Sequence, residues 1–123
     1  MPGWATVELK RAERELSAGG TSVGTAVEAP ASELLGARCR RVGLADGAEL
    51  VLLEPSTEGR LAAALARHDE GWLVTWLVAE EAAVARAVEA GFRLSPERPG
   101  PLGPERLVLD GPRDGPFLLL ATR

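Results

Sequence analysis

Residues 71–78 read GWLVTWLV. The stretch has the length of a strand and carries two tryptophans, with apolar side chains at odd and even positions alike. A strand with one wet face alternates polar and apolar residues, whereas a strand covered on both faces is apolar throughout. The stretch is therefore expected to be an inner strand, with a helix over one face and a cavity against the other. The rest of the chain has to supply both covers.

Working outward, the same pattern occurs twice. Residues 3–9 read GWATVEL, 68 positions before GWLVTWL. Each is followed by a charged, alanine-rich segment, KRAERELSAGG and AEEAAVARAVEAGF. Leu35-Gly36 matches Leu102-Gly103 at offset 67, and Asp46-Gly47 matches Asp114-Gly115 at 68. AELVLLE (48–54) matches PFLLLAT (116–122), again at 68. A common order at a near-constant offset reads as an internal repeat.

Each half then reads as strand, helix and three strands. In the first, residues 4–9 form a strand and 10–18 a helix that Gly19-Gly20 closes. Residues 21–28 form the next strand, and 37–44 and 48–54 a hairpin across Ala45-Asp46-Gly47. In the second, 72–78 is a strand, 80–90 a helix closed by Gly91, and 92–95 the start of a strand. The proline-rich segment 96–104 (PERPGPLGP) is a long loop, and 105–110 and 117–122 form the last hairpin. Between the halves, 57–67 (TEGRLAAALAR) reads as a linker helix with Leu61, Ala64 and Leu65 on one face. The expected fold class is α+β. Two tandem βαβββ modules, at about 3–55 and 71–123, form a curved eight-stranded mixed sheet around a cavity, with helices outside. With 123 residues this is one domain.

Composition limits the chemistry. The chain is 46% apolar and 26% charged, ordinary for a globular protein. No apolar run approaches the ~20 residues of a membrane span, and MPGWATVELK lacks a basic start followed by an apolar segment. Lone Cys39 allows no internal disulfide and fits a reducing compartment, so a cytoplasmic location is expected. The net charge is −4 with mixed signs, which argues against nucleic acid and anionic membranes as partners. Lys10 is the only lysine among 14 basic residues, and Ile, Asn, Gln and Tyr are absent, which suggests a GC-rich genome. With one His and one Cys, a metal site of several such ligands cannot be built within one chain. Acid–base work would fall mainly to Asp or Glu.

In this order of segments the chain resembles the vicinal oxygen chelate superfamily, the glyoxalase and bleomycin-resistance fold. The likeness is clearest over residues 49–123. There ELVLLEP, a helix, EGWLVTWLV, AVEAGFRL, PGPLGPERLVLDGP and DGPFLLLA follow one another as in methylmalonyl-CoA epimerases. Active members of that superfamily chelate a divalent metal with one ligand, usually His, Glu or Gln, from the first and last strand of each half. Carried over, those places are Thr6, Val51, Val74 and Leu119. Val and Leu have no donor atom and Thr is a poor ligand. A shift of one residue, to Ala5 or Val7, Leu73 or Thr75, and Leu118 or Leu120, does not restore the set. The resemblance thus implies the fold with the metal centre missing. No cofactor is expected, nor the enediolate chemistry of the lyases and epimerases.

Several residues are candidates for a site. By period two, Trp4, Thr6 and Glu8 share one strand face, and Trp72, Val74 and Trp76 the equivalent face. They read either as an aromatic-walled ligand cavity, with Thr6 and Glu8 as polar handles, or as tryptophans that plug a vestigial cavity or pack a dimer. Glu49 reads as a cavity carboxylate, as base or as partner of a cation, or as a solvated charge at the hairpin mouth. Arg38, Arg40 and Arg41 grip an anion or decorate an outer strand. Cys39 reads as a small buried residue, and His68 as a charge at a helix end. The loop 96–104 either covers the cavity mouth or is a stiff connector. Three functions follow. The first is metal-independent binding of a small hydrophobic or aromatic molecule, in the manner of bleomycin-resistance proteins. The second is metal-free catalysis with Glu8 or Glu49 as base. The third is a structural or regulatory role. A homodimer, with half-domains exchanged or not, is expected in each case.

Overall fold

Hydrophobic period and turn chemistry account for most of the elements in the computed structural model, which describes residues 1–19 and 26–122. Strand β1 (Pro2–Ala5) leads to helix α1 (Leu9–Ala18), followed by β2 (Val27–Ser32), β3 (Ala37–Gly43) and β4 (Glu49–Pro55). Helix α2 (Arg60–His68) precedes β5 (Gly71–Ala79) and helix α3 (Glu81–Glu89). The short β6 (Glu105–Leu107) and β7 (Phe117–Thr122) complete the fold. No helix among the described residues is long and apolar enough to cross a membrane.

The sheet has seven strands among the described residues, in the order β2-β3-β4-β1-β5-β7-β6. β1 runs parallel to β4 and β5 parallel to β7; the other neighbours are antiparallel. This corrects the expected eight. Residues 92–95 make one isolated bridge, Leu94 to Val108, flanked by hydrogen bonds from Ser95 N to Leu107 O and from Leu109 N to Arg93 O. Pro96 then follows, has no N–H to give, and interrupts the ladder, which resumes only as a second isolated bridge, Arg98 to Glu105. The first strand is also shorter than its apolar run. The Thr6 hydroxyl accepts from Glu8 N at 3.2 Å, a local turn that ends the strand and starts α1. Of the strand expected at 21–28, residues 21–25 lie outside the described residues. The observed β2 runs on through Pro30 to Ser32, which an edge strand tolerates.

The two faces of the sheet carry separate cores. On one face, Leu9, Ala12 and Leu16 of α1, spaced as one helical stripe, pack with Trp4, Val42, Leu50 and Leu52. On the other, Ala5, Cys39, Val51, Leu53, Val74, Trp76, Leu107 and Leu119 form a larger cluster, to which α2 adds Leu61, Ala64 and Leu65. This second face is the inside of a curl, because the two edge strands meet across it: the Ser32 hydroxyl of β2 bonds Glu105 of β6 at 2.7 Å. The sheet is thus a half-barrel with a filled interior.

GWLVTWLV occupies an inner strand, between β1 and β7, but the expected cover on both faces is corrected: the interior takes one face, while Trp72, Thr75, Leu77 and Val78 are exposed and α3 buries no residue. The two ends of the stretch serve different faces. Gly3 pairs with Val74 but Trp4 pairs with Trp72, so Leu73 is an extra residue in β5. Such a bulge breaks the period of two. Leu73, Val74 and Trp76 all join the interior cluster, while Trp72 sits beside Trp4 on the α1 face. Gly3 makes the interior arrangement fit, since a Cβ there would lie 2.6 Å from Trp76 Cζ3.

Candidate functional site

Tryptophan favours a large apolar surface and, when buried, a partner for its N–H, and the three tryptophans occupy different places. Trp76 is fully buried and donates its indole N–H to Glu105 Oε1 at 2.9 Å. The other Glu105 oxygen accepts the Ser32 hydroxyl, and the carboxyl is 0% exposed. Burial raises its pKa above the ordinary glutamate value, and the hydrogen bonds from Ser32 and Trp76 offset only part of that rise. The proline-rich loop closes over it. A Cβ on Gly100 would lie 1.9 Å from Glu105 Oε1, Glu33 N donates to Pro99 O, and Arg98 bridges to Glu105 through the backbone. Cys39 lies in the same interior at 1% exposure. Burial, with a smaller contribution from Glu105, pushes its thiol up to about 12, which leaves it protonated and unreactive.

The residues at the chelate positions do not fit a divalent ion. Val51, Val74 and Leu119 point into the packed interior and carry no donor atom. Thr6 is buried, with its hydroxyl engaged in the turn before α1. Among the described residues no three His, Cys, Asp or Glu side chains come together as a metal site.

Trp4 and Trp72 form a more open aromatic feature. Their rings meet edge to face, with centroids 5.0 Å apart and planes at 85°. They border a groove of about 200 Å³ between α1 and the sheet, with Leu50 and Leu52 of β4 and Ala12 and Leu16 of α1 as its aliphatic walls and Glu15 also lining it. Trp72 is 54% exposed. An indole left that open against an aliphatic groove is a surface with apolar area still to cover.

The expected grouping of Trp4, Thr6 and Glu8 with Trp72, Val74 and Trp76 on one cavity face is therefore corrected. Trp4 and Trp72 line an outer groove, Val74 and Trp76 fill the interior, and the Leu73 bulge separates them. Glu8 and Glu49 are exposed, and Glu49 pairs with Arg41. Arg38 pairs with Glu54, and Arg40 with Glu13 and, at 4.0 Å, with Glu28, so these arginines already hold carboxylates. His68 ends α2 with Nε2 3.2 Å from Gly115 O. Glu105 and Ser32 were not singled out from the sequence. The signal was present: Glu105 is in phase with Leu107 on a strand that turns this face inward.

No protein-family model matches the chain, and no curated protein matches it. Solved structures do. A methylmalonyl-CoA epimerase variant from Streptomyces coelicolor, in complex with 2-nitronate-propionyl-CoA, superposes with a TM-score of 0.75 at 24% identity, over 98% of this chain and 93% of that one. The methylmalonyl-CoA epimerase of Mycobacterium tuberculosis gives 0.76 at 19% identity, over 98% and 84%. A hypothetical protein from Bacillus halodurans gives 0.75 at 15%, over 99% and 91%. At such identities the likeness shows the fold. The chain has the α+β curled sheet of the vicinal oxygen chelate type.

Proposed function

We infer that this is a glyoxalase-fold protein that acts without a chelated metal and binds a small hydrophobic or aromatic molecule, for sequestration or sensing. The observation that carries the reading is the Trp4–Trp72 groove, an edge-to-face indole pair over aliphatic walls. It moves the ligand from the inside of the sheet, which Trp76 and its neighbours fill, to the outer face. Epimerase chemistry of the relatives' kind is not part of this reading, because the chelate positions hold Thr6, Val51, Val74 and Leu119. A carboxylate base finds no support either. Glu8 and Glu49 are exposed, and Glu105 is sealed inside. Titration with benzyl alcohol should quench tryptophan emission saturably, and Trp72→Leu should remove the effect. A signal that never saturates, or that survives in Trp72→Leu, overturns the reading.

One observation favours a second role, that of a structural or regulatory homodimer. Helix α3 buries no residue, and Leu77, Val78, Val88 and Phe92 on β5, α3 and the segment after it are each about half exposed. Apolar side chains left open in that number suit a second copy of the chain. Light scattering at high protein concentration is expected to give twice the monomer mass, and a monomer there overturns this second role.

A further inference from the structure

The ligand class follows from the charge at the groove, on the reading that the groove binds at all. We propose that the Trp4–Trp72 groove selects an organic cation, a small ammonium carried on an apolar or aromatic body. Two indoles lie at right angles, so one presents its face beside the edge of the other. An indole face attracts a cation through its ring quadrupole. The single ionisable group among the described residues lining the groove is the Glu15 carboxylate, and no basic side chain among them lines it. Glu15 is also poorly neutralised. Its ion-pair partner among the described residues is Arg11, at 3.8 Å through Nε, whose guanidinium also pairs with Glu70, just before β5. Arg11 is held there firmly, because Glu70 also accepts from Val7 N at 3.2 Å. The groove therefore offers π faces, aliphatic walls and one under-compensated negative charge. A carboxylate ligand would meet Glu15, and a neutral one would leave both the charge and the indole face unused.

Size narrows the class further. The groove volume of about 200 Å³ is smaller than the ~300–1,000 Å³ of a drug-sized site. A single ring with a methylated ammonium fits, as does the cationic head of a longer molecule whose tail runs on over exposed Trp72. Glu15 is 70% exposed at its side chain, so its attraction is screened by salt.

The test compares three probes that share one phenyl ring and differ in the charge of its substituent: benzyltrimethylammonium, benzyl alcohol and benzoate, each titrated into the full chain by calorimetry and tryptophan emission. Benzyltrimethylammonium is expected to bind about tenfold more tightly than benzyl alcohol, with benzoate weakest. Glu15→Gln should weaken the cation about fivefold and leave benzyl alcohol unchanged, and added salt should weaken the cation alone. Glu15 and Trp72 are both exposed, so neither Glu15→Gln nor Trp72→Leu threatens folding. Equal affinity for the cation and the alcohol, or no effect of Glu15→Gln, overturns the cation proposal while the groove stands as a neutral aromatic site. Binding of all three probes that is unchanged by Trp72→Leu, or no binding of any, removes the groove reading and the cation proposal together.

Discussion

Replacing Glu105 with glutamine raises the stability of the protein at neutral pH and flattens its dependence on pH. Glu105 is fully buried and no cation among the described residues pairs with it; its partners are the Ser32 hydroxyl and the Trp76 indole, with the Cys39 thiol near by and Gly100 against its carboxyl. Its pKa in the folded chain is raised by that burial. A carboxyl with a raised folded pKa binds its proton more tightly in the native state than in the unfolded one. Its contribution is fully present below the ordinary glutamate value of about 4.3, and is lost as pH rises through the folded pKa. Above that, the native state has to hold a buried charge. Glutamine removes the charge and keeps both contacts, since its carbonyl accepts from Trp76 and its amide donates to Ser32. We expect a gain of about 1–2 kcal/mol at neutral pH, roughly 4–8 °C in Tm, that shrinks as pH falls toward 4. Paired thermal melts of both proteins across that range measure it. Glu70 and Asp110, whose pKa values are lowered by hydrogen bonds, pull stability the other way in acid, but equally in both proteins. A difference between the two proteins that does not change with pH would show that Glu105 does not titrate in this range.

Truncating Trp76 to alanine costs more. The indole is 0% exposed, meets Gly3 so closely that no Cβ fits between them, and holds Glu105 Oε1. Large-to-small changes of this kind cost about 3–5 kcal/mol, and here an acceptor also loses its donor. Against a typical total of about 5–15 kcal/mol, the variant sits near the limit of folding. Indole added to it should occupy the vacated space and raise Tm saturably, because a ligand that binds only the native state stabilises it by mass action. Denaturant titration with and without indole reads both effects. A loss under about 1 kcal/mol with no response to indole would mean that Trp76 does not fill the inside of the sheet.

These two residues show where the sequence was legible. GWLVTWLV announced an inner strand, and by pairing it is inner, but the absence of alternation did not mean two covered faces: Trp72, Thr75, Leu77 and Val78 are exposed. Helix α2 was readable from one stripe, Leu61, Ala64 and Leu65, whereas α1 was readable only as a charged, alanine-rich segment closed by glycine, with Leu9 assigned to the strand before it rather than to the helix it begins. At the positions carried over from the resemblance, Val51, Val74 and Leu119 lack donor atoms whichever way they point, which residue type alone decides. The tryptophan faces were not legible. A period-two reading assumes an unbroken ladder, and one extra residue at Leu73 reverses the phase of everything before it. Nothing local to Leu73 marks the bulge, since it arises from pairing with β1. The Ser32–Glu105 contact spans 73 positions and depends on how far the sheet curls, which only the closed fold specifies. The missing eighth strand had a local sign in Pro96, directly after Ser95.

The curl has a further consequence for how such molecules can stick to one another. Proteins add strands to exposed sheet edges, and an open edge invites aggregation. Here β2 is interrupted between Ala29 and Ser32 and contains Pro30, which lacks an N–H to offer an incoming chain. β6 is three residues long, and its outer side is taken by the backbone of Arg98 and of Leu94 near by. Neither border of the sheet presents a usable ladder, so self-association of the native protein has to proceed through side-chain faces. The Ser32–Glu105 contact draws these two guarded borders together across the interior. Native molecules of this protein should therefore not extend fibrils by adding strands at the sheet borders.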